Sequence, residues 1–130
     1  MSYRDTIVWA KSLEMAVLVY QLASALPREE IFGIRSQITR AASSVPCNIA
    51  EGWCRATPRD KAHFMTIAHG SLAELETLIT ICERMGWFSL DSTAPVRLLL
   101  DETGRMVTAL RRRFRDGAAT KRLRRNSTKP

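Results

Sequence analysis

A chain of 130 residues with 45% apolar side chains has the size of one domain and enough apolar surface for one sizeable core. No run approaches the roughly 20 uncharged apolar residues of a membrane span, and Met1-Ser2-Tyr3-Arg4-Asp5 leads into no signal-like segment; no membrane partner and a cytoplasmic location are therefore expected. The formal charge of +7 is unevenly placed, since residues 1–110 hold 11 Lys/Arg against 12 Asp/Glu while residues 111–130 hold 9 against 1, a neutral body with a basic end.

The first predicted helix spans about residues 6–26. Trp9, Leu13, Ala16 and Tyr20 recur at helical spacing, and Pro27 closes the segment because its ring cannot continue a helix. Met15, Val17, Leu18, Val19 and Leu22 add apolar positions around more of the circumference than one bundle interior covers. That excess predicts a second burial surface and hence a homo-oligomer.

The second helix is predicted over about residues 30–53, with Ile31, Ile34, Ile38, Ala41, Val45 and Ile49 on one arc at roughly 100° per residue. Pro46 inside it removes one backbone donor and predicts a local bend. Beside the apolar arc, Gln37, Arg40, Ser44, Asn48, Glu51 and Arg55 form a polar file about 80° wide.

The third helix, about residues 58–85, opens with Thr57 as N-cap, Pro58 at the first helical position and Asp60 in the first turn, and stops at Met85-Gly86. Phe64, Ala68, Leu72, Leu75, Ile79 and Cys82 are its expected core stripe. His63, Gly70, Glu74 and Thr77 group on another side with Ser71 at the margin, and Gly70 is expected to admit a close neighbouring backbone.

The fourth helix is predicted from about residue 93, near Asp91-Ser92-Thr93 with Pro95 in its opening turn, to 115, carrying Val96, Leu99, Leu100, Thr103, Met106, Val107, Leu110 and Phe114. Helices of comparable length joined by short connections favour an all-α, up-and-down antiparallel four-helix bundle over residues 1–115. Residues 116–130 show no apolar periodicity and read as a basic, disordered tail.

Chemistry-bearing patterns are few. Cys47, Cys54 and Cys82 are an odd number without a secretory signal, arguing against a disulfide framework, and none has ligands at zinc-like spacing. His63 and His69 are six apart and point to different sides of a helix, so no metal, cofactor or catalytic residue is assigned. Gln37, Arg40, Ser44, Asn48, Glu51, Arg55, Ser71 and Glu74 are read either as a solvated face or as a polar network between helices two and three, with Arg40 or Arg55 paired to Glu51 or Glu74. A weaker alternative is a small hydrolase or nuclease using Glu51 with His63 or Asn48. The basic end offers Arg111, Arg112, Arg113, Arg115, Lys121, Arg122, Arg124 and Arg125 to RNA or DNA phosphates. No aromatics interleave with them, so base stacking is not indicated.

Gln37-x-x-Arg40-Ala41-Ala42-x-Ser44-x-Pro46-x-Asn48-Ile49-Ala50-Glu51-Gly52-x-x-Arg55 resembles the signature of the bacterial proteins encoded in 23S ribosomal-RNA intervening sequences. Trp9, Phe32-Gly33 and Phe64-x-x-Ile67-Ala68-x-Gly70-Ser71-x-x-Glu74-Leu75-Glu76 extend the resemblance over about residues 5–115. It implies a four-helix bundle assembling as a homopentameric ring, of generally unassigned molecular role. It is also similar to the accessory proteins of diversity-generating retroelements, which bind nucleic acid and partner a reverse transcriptase. Cys47, Trp53, Cys54 and the basic tail depart from the family pattern. The ranking that results is a non-catalytic nucleic-acid-binding scaffold, then an adaptor for a protein partner such as a reverse transcriptase, then an enzyme.

Overall fold

The computed structural model describes residues 1–127. It contains four helices, α1 (Ile7–Ala23), α2 (Ile34–Trp53), α3 (Pro58–Arg84) and α4 (Leu90–Ser127), with 3₁₀ turns at Tyr3–Asp5 and Arg28–Glu30 and no strand among the described residues. α1 packs on α2 and α4, and α3 packs on α2 and α4, while the backbones of the diagonal pairs stay apart, as in an up-and-down bundle. Among the described residues no helix is long and apolar enough to cross a membrane.

The ends of the helices follow from local chemistry. The Thr6 and Thr57 hydroxyls accept the N–H groups of Trp9 and Asp60, satisfying donors that the first turns of α1 and α3 leave open. At the other end of α3, Gly86 takes φ 76°; its N–H donates to the Glu83 carbonyl at 3.0 Å and the Trp87 N–H to the Cys82 carbonyl at 2.9 Å. This is the Schellman pattern, which only a residue tolerant of left-handed backbone closes without strain. The chain is thereby turned into α4 within a few residues.

Met15 and Val19, Ile38, Val45 and Ile49, Met65, Leu75 and Ile79, and Val96 and Val107 fill the centre, all essentially inaccessible. On α1 the buried file is Val8, Ser12, Met15, Ala16, Val19 and Ala23. Only Ala16 of the expected four-residue stripe belongs to it. Trp9 is half-buried, Leu13 is exposed, and Val17 and Tyr20 are 50% and 52% exposed. Periodicity finds an apolar arc on α1, but two arcs overlap at Ala16, and spacing alone does not say which one meets the neighbours.

α2 begins at Ile34 rather than near residue 30, because Pro27 and Gly33 bracket a short 3₁₀ turn, and Ile31 and Phe32 are left outside the core, Phe32 at 97% exposure. The helix runs through Pro46, whose ring is buried. α4 starts earlier than expected, at Leu90, since the Ser89 hydroxyl accepts the Ser92 N–H at 3.1 Å.

α4 also runs on to Ser127, past the predicted end near residue 115 and through most of the segment expected to be disordered. Residues 128–130 of that expectation lie outside the described residues. Ala118, Ala119, Lys121, Arg122, Leu123, Arg124 and Arg125 are all strong helix formers, and cations near a helix C-terminus oppose its dipole favourably. A search for apolar periodicity does not register a helix supported by propensity alone.

Close approach between α2 and α3 occurs at Gly52 and not at Gly70. A Cβ on the buried Gly52 would lie 2.7 Å from Phe64 Cβ and 2.9 Å from Met65 Cε, whereas one on Gly70 meets nothing within 4 Å. Gly52→Ala is therefore expected to destabilise the fold by about 1–3 kcal/mol through overpacking. Gly70→Ala, on an exposed helix face, is expected to stabilise it by about 0.5–1 kcal/mol. Urea denaturation midpoints of the two variants, moving in opposite directions, check this.

Candidate functional site

The polar file of α2 meets α3 at one short contact. Ser44 Oγ and Ser71 Oγ share a hydrogen bond at 2.8 Å, and Asn48 Nδ2 donates to the Ser44 carbonyl at 2.7 Å and to its hydroxyl at 2.9 Å. Ser44, Asn48 and Gly52 stand at successive i, i+4 positions, so the hydrogen-bonded clasp and the close approach form one seam. Below it, Lys61 Nζ donates to the Trp53 carbonyl at 2.6 Å, satisfying a C-terminal acceptor of α2. The ammonium also stands 6.0 Å from the Trp53 ring and 5.8 Å from Phe114, which pack edge to face at 6.3 Å. Trp53 Nε1 donates to the Met1 carbonyl at 3.1 Å.

The rest of the expected network does not cross between helices. Arg55 pairs with Glu51 at 2.9 Å, but Glu51 is in the last turn of α2 and Arg55 just past its end, both are exposed, and the Arg55 guanidinium sits 4.6 Å over the Phe64 ring. Gln37, Arg40 and Glu74 are exposed, and their side chains make no hydrogen bond or ion pair among the described residues. The seam is too narrow for long side chains: serine, asparagine and glycine fit inside it, and charged groups beside it stay in water, where they escape the desolvation penalty of a buried pair.

The buried polar cluster that the sequence reading missed joins α3 to α4. Arg97 Nε donates to Glu83 Oε2 at 3.1 Å and its Nη2 to Thr80 Oγ1 at 3.1 Å, and Nη2 also pairs with Glu83 Oε1. The buried Thr93 hydroxyl donates to Glu83 Oε2 at 2.5 Å. The Glu83 side chain is only 10% exposed. The Arg97 hydrogen bond, with a smaller contribution from Thr93, holds its carboxyl below the usual carboxylate range against the opposing effect of burial. Glu83 and Arg97 lie on different helices, outside any single-helix pattern; folding the chain about the Gly86–Leu90 turn is the signal that would have set Glu83 opposite Thr93. Lys11 and Glu102 form a further ion pair between α1 and α4.

Reactive groups do not converge. Cys82 is buried, its thiol pushed up to about 11 chiefly by burial and further by Glu30 and Glu83, which leaves it un-ionised and inert. Cys47 and Cys54 are exposed free thiols, and His63 and His69 are exposed. Among the described residues no group of three His, Cys, Asp or Glu could hold a metal ion. Of the basic residues, Arg111 is half-buried, and Arg112, Arg113, Arg115, Lys121, Arg122, Arg124 and Arg125 are exposed along α4.

Fold and seam together define an antiparallel four-helix bundle whose second and third helices are clasped by small polar residues, with a basic helical end. Over residues 4–109 the chain matches the model of the 23S rRNA-intervening sequence protein family, and it belongs to that family. Among curated proteins none matches it. The matched span ends before Arg111, so the basic run lies outside the family model.

Two stability predictions follow from these contacts. Asn48→Ala is expected to cost about 1–2 kcal/mol by leaving the clasp incomplete, whereas Glu51→Ala, losing an exposed i,i+4 pair, costs less than about 0.5 kcal/mol. Thermal unfolding of both variants separates them. Glu83→Gln is expected to cost about 1–3 kcal/mol at pH 7. Because folding lowers the Glu83 pKa, its contribution is complete above the unfolded value of about 4.3 and fades as pH falls through the folded value. The difference from the parent protein, read by urea unfolding, therefore narrows between pH 7 and pH 3.

Proposed function

We propose that the chain is a non-catalytic, self-associating four-helix-bundle scaffold that binds RNA or DNA through the basic C-terminal part of α4. The observation that carries this reading is the continuation of α4 to Ser127 with exposed cations on it, beyond a body of nearly balanced charge. A helix holding several cations at fixed spacing loses less entropy on meeting a phosphate backbone than a free tail does. Each neutralised phosphate releases counterions, so binding should weaken steeply with salt.

Self-association is supported by the second apolar arc of α1. Trp9, Leu13, Val17 and Tyr20 face Pro46 and Cys47 of α2 across an open groove of about 730 Å³. A second copy covering it would remove the apolar excess from water, and the resemblance to the family makes five the expected number of copies. Association would also multiply the basic ends and raise avidity for a polymer. The same groove favours the alternative, an adaptor whose partner is another protein such as a reverse transcriptase. The non-catalytic reading is supported by Glu51, which is exposed and engaged with Arg55 rather than aimed at a second acid, base or nucleophile.

Deleting residues 116–130 is expected to lower affinity for a labelled RNA or DNA oligonucleotide by roughly tenfold or more at low salt and to flatten the salt dependence. Unchanged binding, or none by the full chain, rejects the proposal for α4. Light scattering at micromolar concentration is expected to give an oligomer that Val17→Glu dissociates without loss of helicity. A monomeric parent protein rejects self-association.

A further inference from the structure

We infer that the concave corner where α4 overhangs the start of α3 seats backbone phosphates of a nucleic-acid strand, with Arg59 of α3 acting together with Lys121 and Arg122 of α4. The inference rests on the proposed nucleic-acid reading and assigns it a place.

The corner arises from a length mismatch. α4 passes the beginning of α3 at Gly117, where a Cβ would stand 3.7 Å from Pro58 Cβ, and the residues from Ala118 to Ser127 continue as helix. At 1.5 Å per residue this overhang is about 15 Å long. Lys121 and Arg125 fall about five turns after Thr103 and Val107, which are completely buried in the bundle. The face of α4 that is core along the bundle thus becomes basic once α3 has ended. A core register continued in cations suits a polyanion and not another helix.

On the overhang, Ala118, Ala119 and Leu123 line the corner beside Lys121, Arg122 and Arg125. Leu123 is the overhang's only large apolar side chain, too little for an apolar docking surface or a membrane-lying helix. The corner has a volume of about 1070 Å³ between the overhang and Thr57-Pro58-Arg59. Arg59, Lys121 and Arg122 are exposed there and make no ion pair among the described residues. The nearest acids in the chain turn away, Asp116 lying at least about 120° round α4 from Lys121, Arg122 and Arg125, and Asp60 about 100° round α3 from Arg59. Backbone amides add little to this seat, because Thr57 Oγ1 already accepts the Asp60 N–H, the Thr57 carbonyl accepts the Lys61 N–H and Pro58 has none, which leaves the Arg59 N–H alone. The cationic side chains make it, on two elements far apart in sequence.

Arg59 distinguishes this seat from diffuse attraction to a basic tail, since it stands more than 50 residues before Arg111. The test uses the full chain with fluorescein-labelled single-stranded and duplex oligonucleotides, titrated at several salt concentrations. Arg59→Ala is expected to weaken binding of at least one form about three- to tenfold and to lower the salt slope by about one, with Arg59→Lys restoring most of both. Arg84→Ala, at the other end of the same helix, is expected to change neither. If Arg59→Ala behaves like Arg84→Ala while deletion of residues 116–130 abolishes binding, the corner is not the seat and the broader reading stands. If the full chain binds no oligonucleotide, both fall. Displacement by polyglutamate as effective as by unlabelled oligonucleotide overturns the nucleic-acid assignment in favour of an acidic protein segment.

Discussion

At Gly52 the absence of one side chain decides how near α2 and α3 come to each other. One and two turns earlier, Asn48 and Ser44 occupy the same line on α2, Asn48 bonding to Ser44 and Ser44 to Ser71 through hydrogen bonds of ordinary length. The two features depend on each other. The hydroxyls meet directly only because the backbones are close, and the close backbones tolerate polar groups between them only because those groups satisfy one another. Once α2 and α3 are set at that spacing, Lys61 falls beside Trp53 and Phe114, and α4 is led down against the open side of both. The charged members of the polar file cannot enter so narrow a seam, which is why they form a rim and not a network.

Much of this was legible in the sequence. Four helices, Thr57 and Pro58 at the head of α3, and Gly86 at its end are punctuation with a local cause, and local causes survive folding. The core residues of α2 and α4 were legible for the same reason, since a polar face opposite a single apolar arc leaves one orientation open. α1 was not, because it is apolar on two sides. Leu13, Val17 and Tyr20 differ from Met15 and Val19 only in what lies opposite them, which is a property of the assembled bundle.

The site divides in the same way. Ser44, Asn48 and Ser71 come together as the sequence suggested, since they share faces that must meet if α2 and α3 are neighbours. Gly70 misled because a glycine signals permission for close approach and not its occurrence; Gly52, inside the quoted motif, is where the approach takes place. Glu83 and Arg97 escaped notice because their pairing is written in the geometry of the α3–α4 turn, across two helices. Their ion pair and the seam anchor different ends of the bundle, Glu83 beside the Gly86 turn and Gly52 beside the α2–α3 connection.

That separation bears on how the molecule divides its labour. The end containing Glu83 is closed by a buried carboxylate, a guanidinium and two threonine hydroxyls, a satisfied cluster with little left to offer a partner. The other end is left open by a length mismatch: α3 begins at Pro58 and α4 does not stop there. Helical propensity carries the chain past the last position at which an apolar residue could find a neighbour, and Lys121 and Arg125 take the places in the register that Thr103 and Val107 hold in the core. Past that point the segment no longer contributes to the stability of the bundle through apolar burial, so its composition is free to serve another purpose. Alanine and arginine keep it helical while filling the vacant face with positive charge, and the bundle becomes a rigid base from which that charge is presented at fixed spacing.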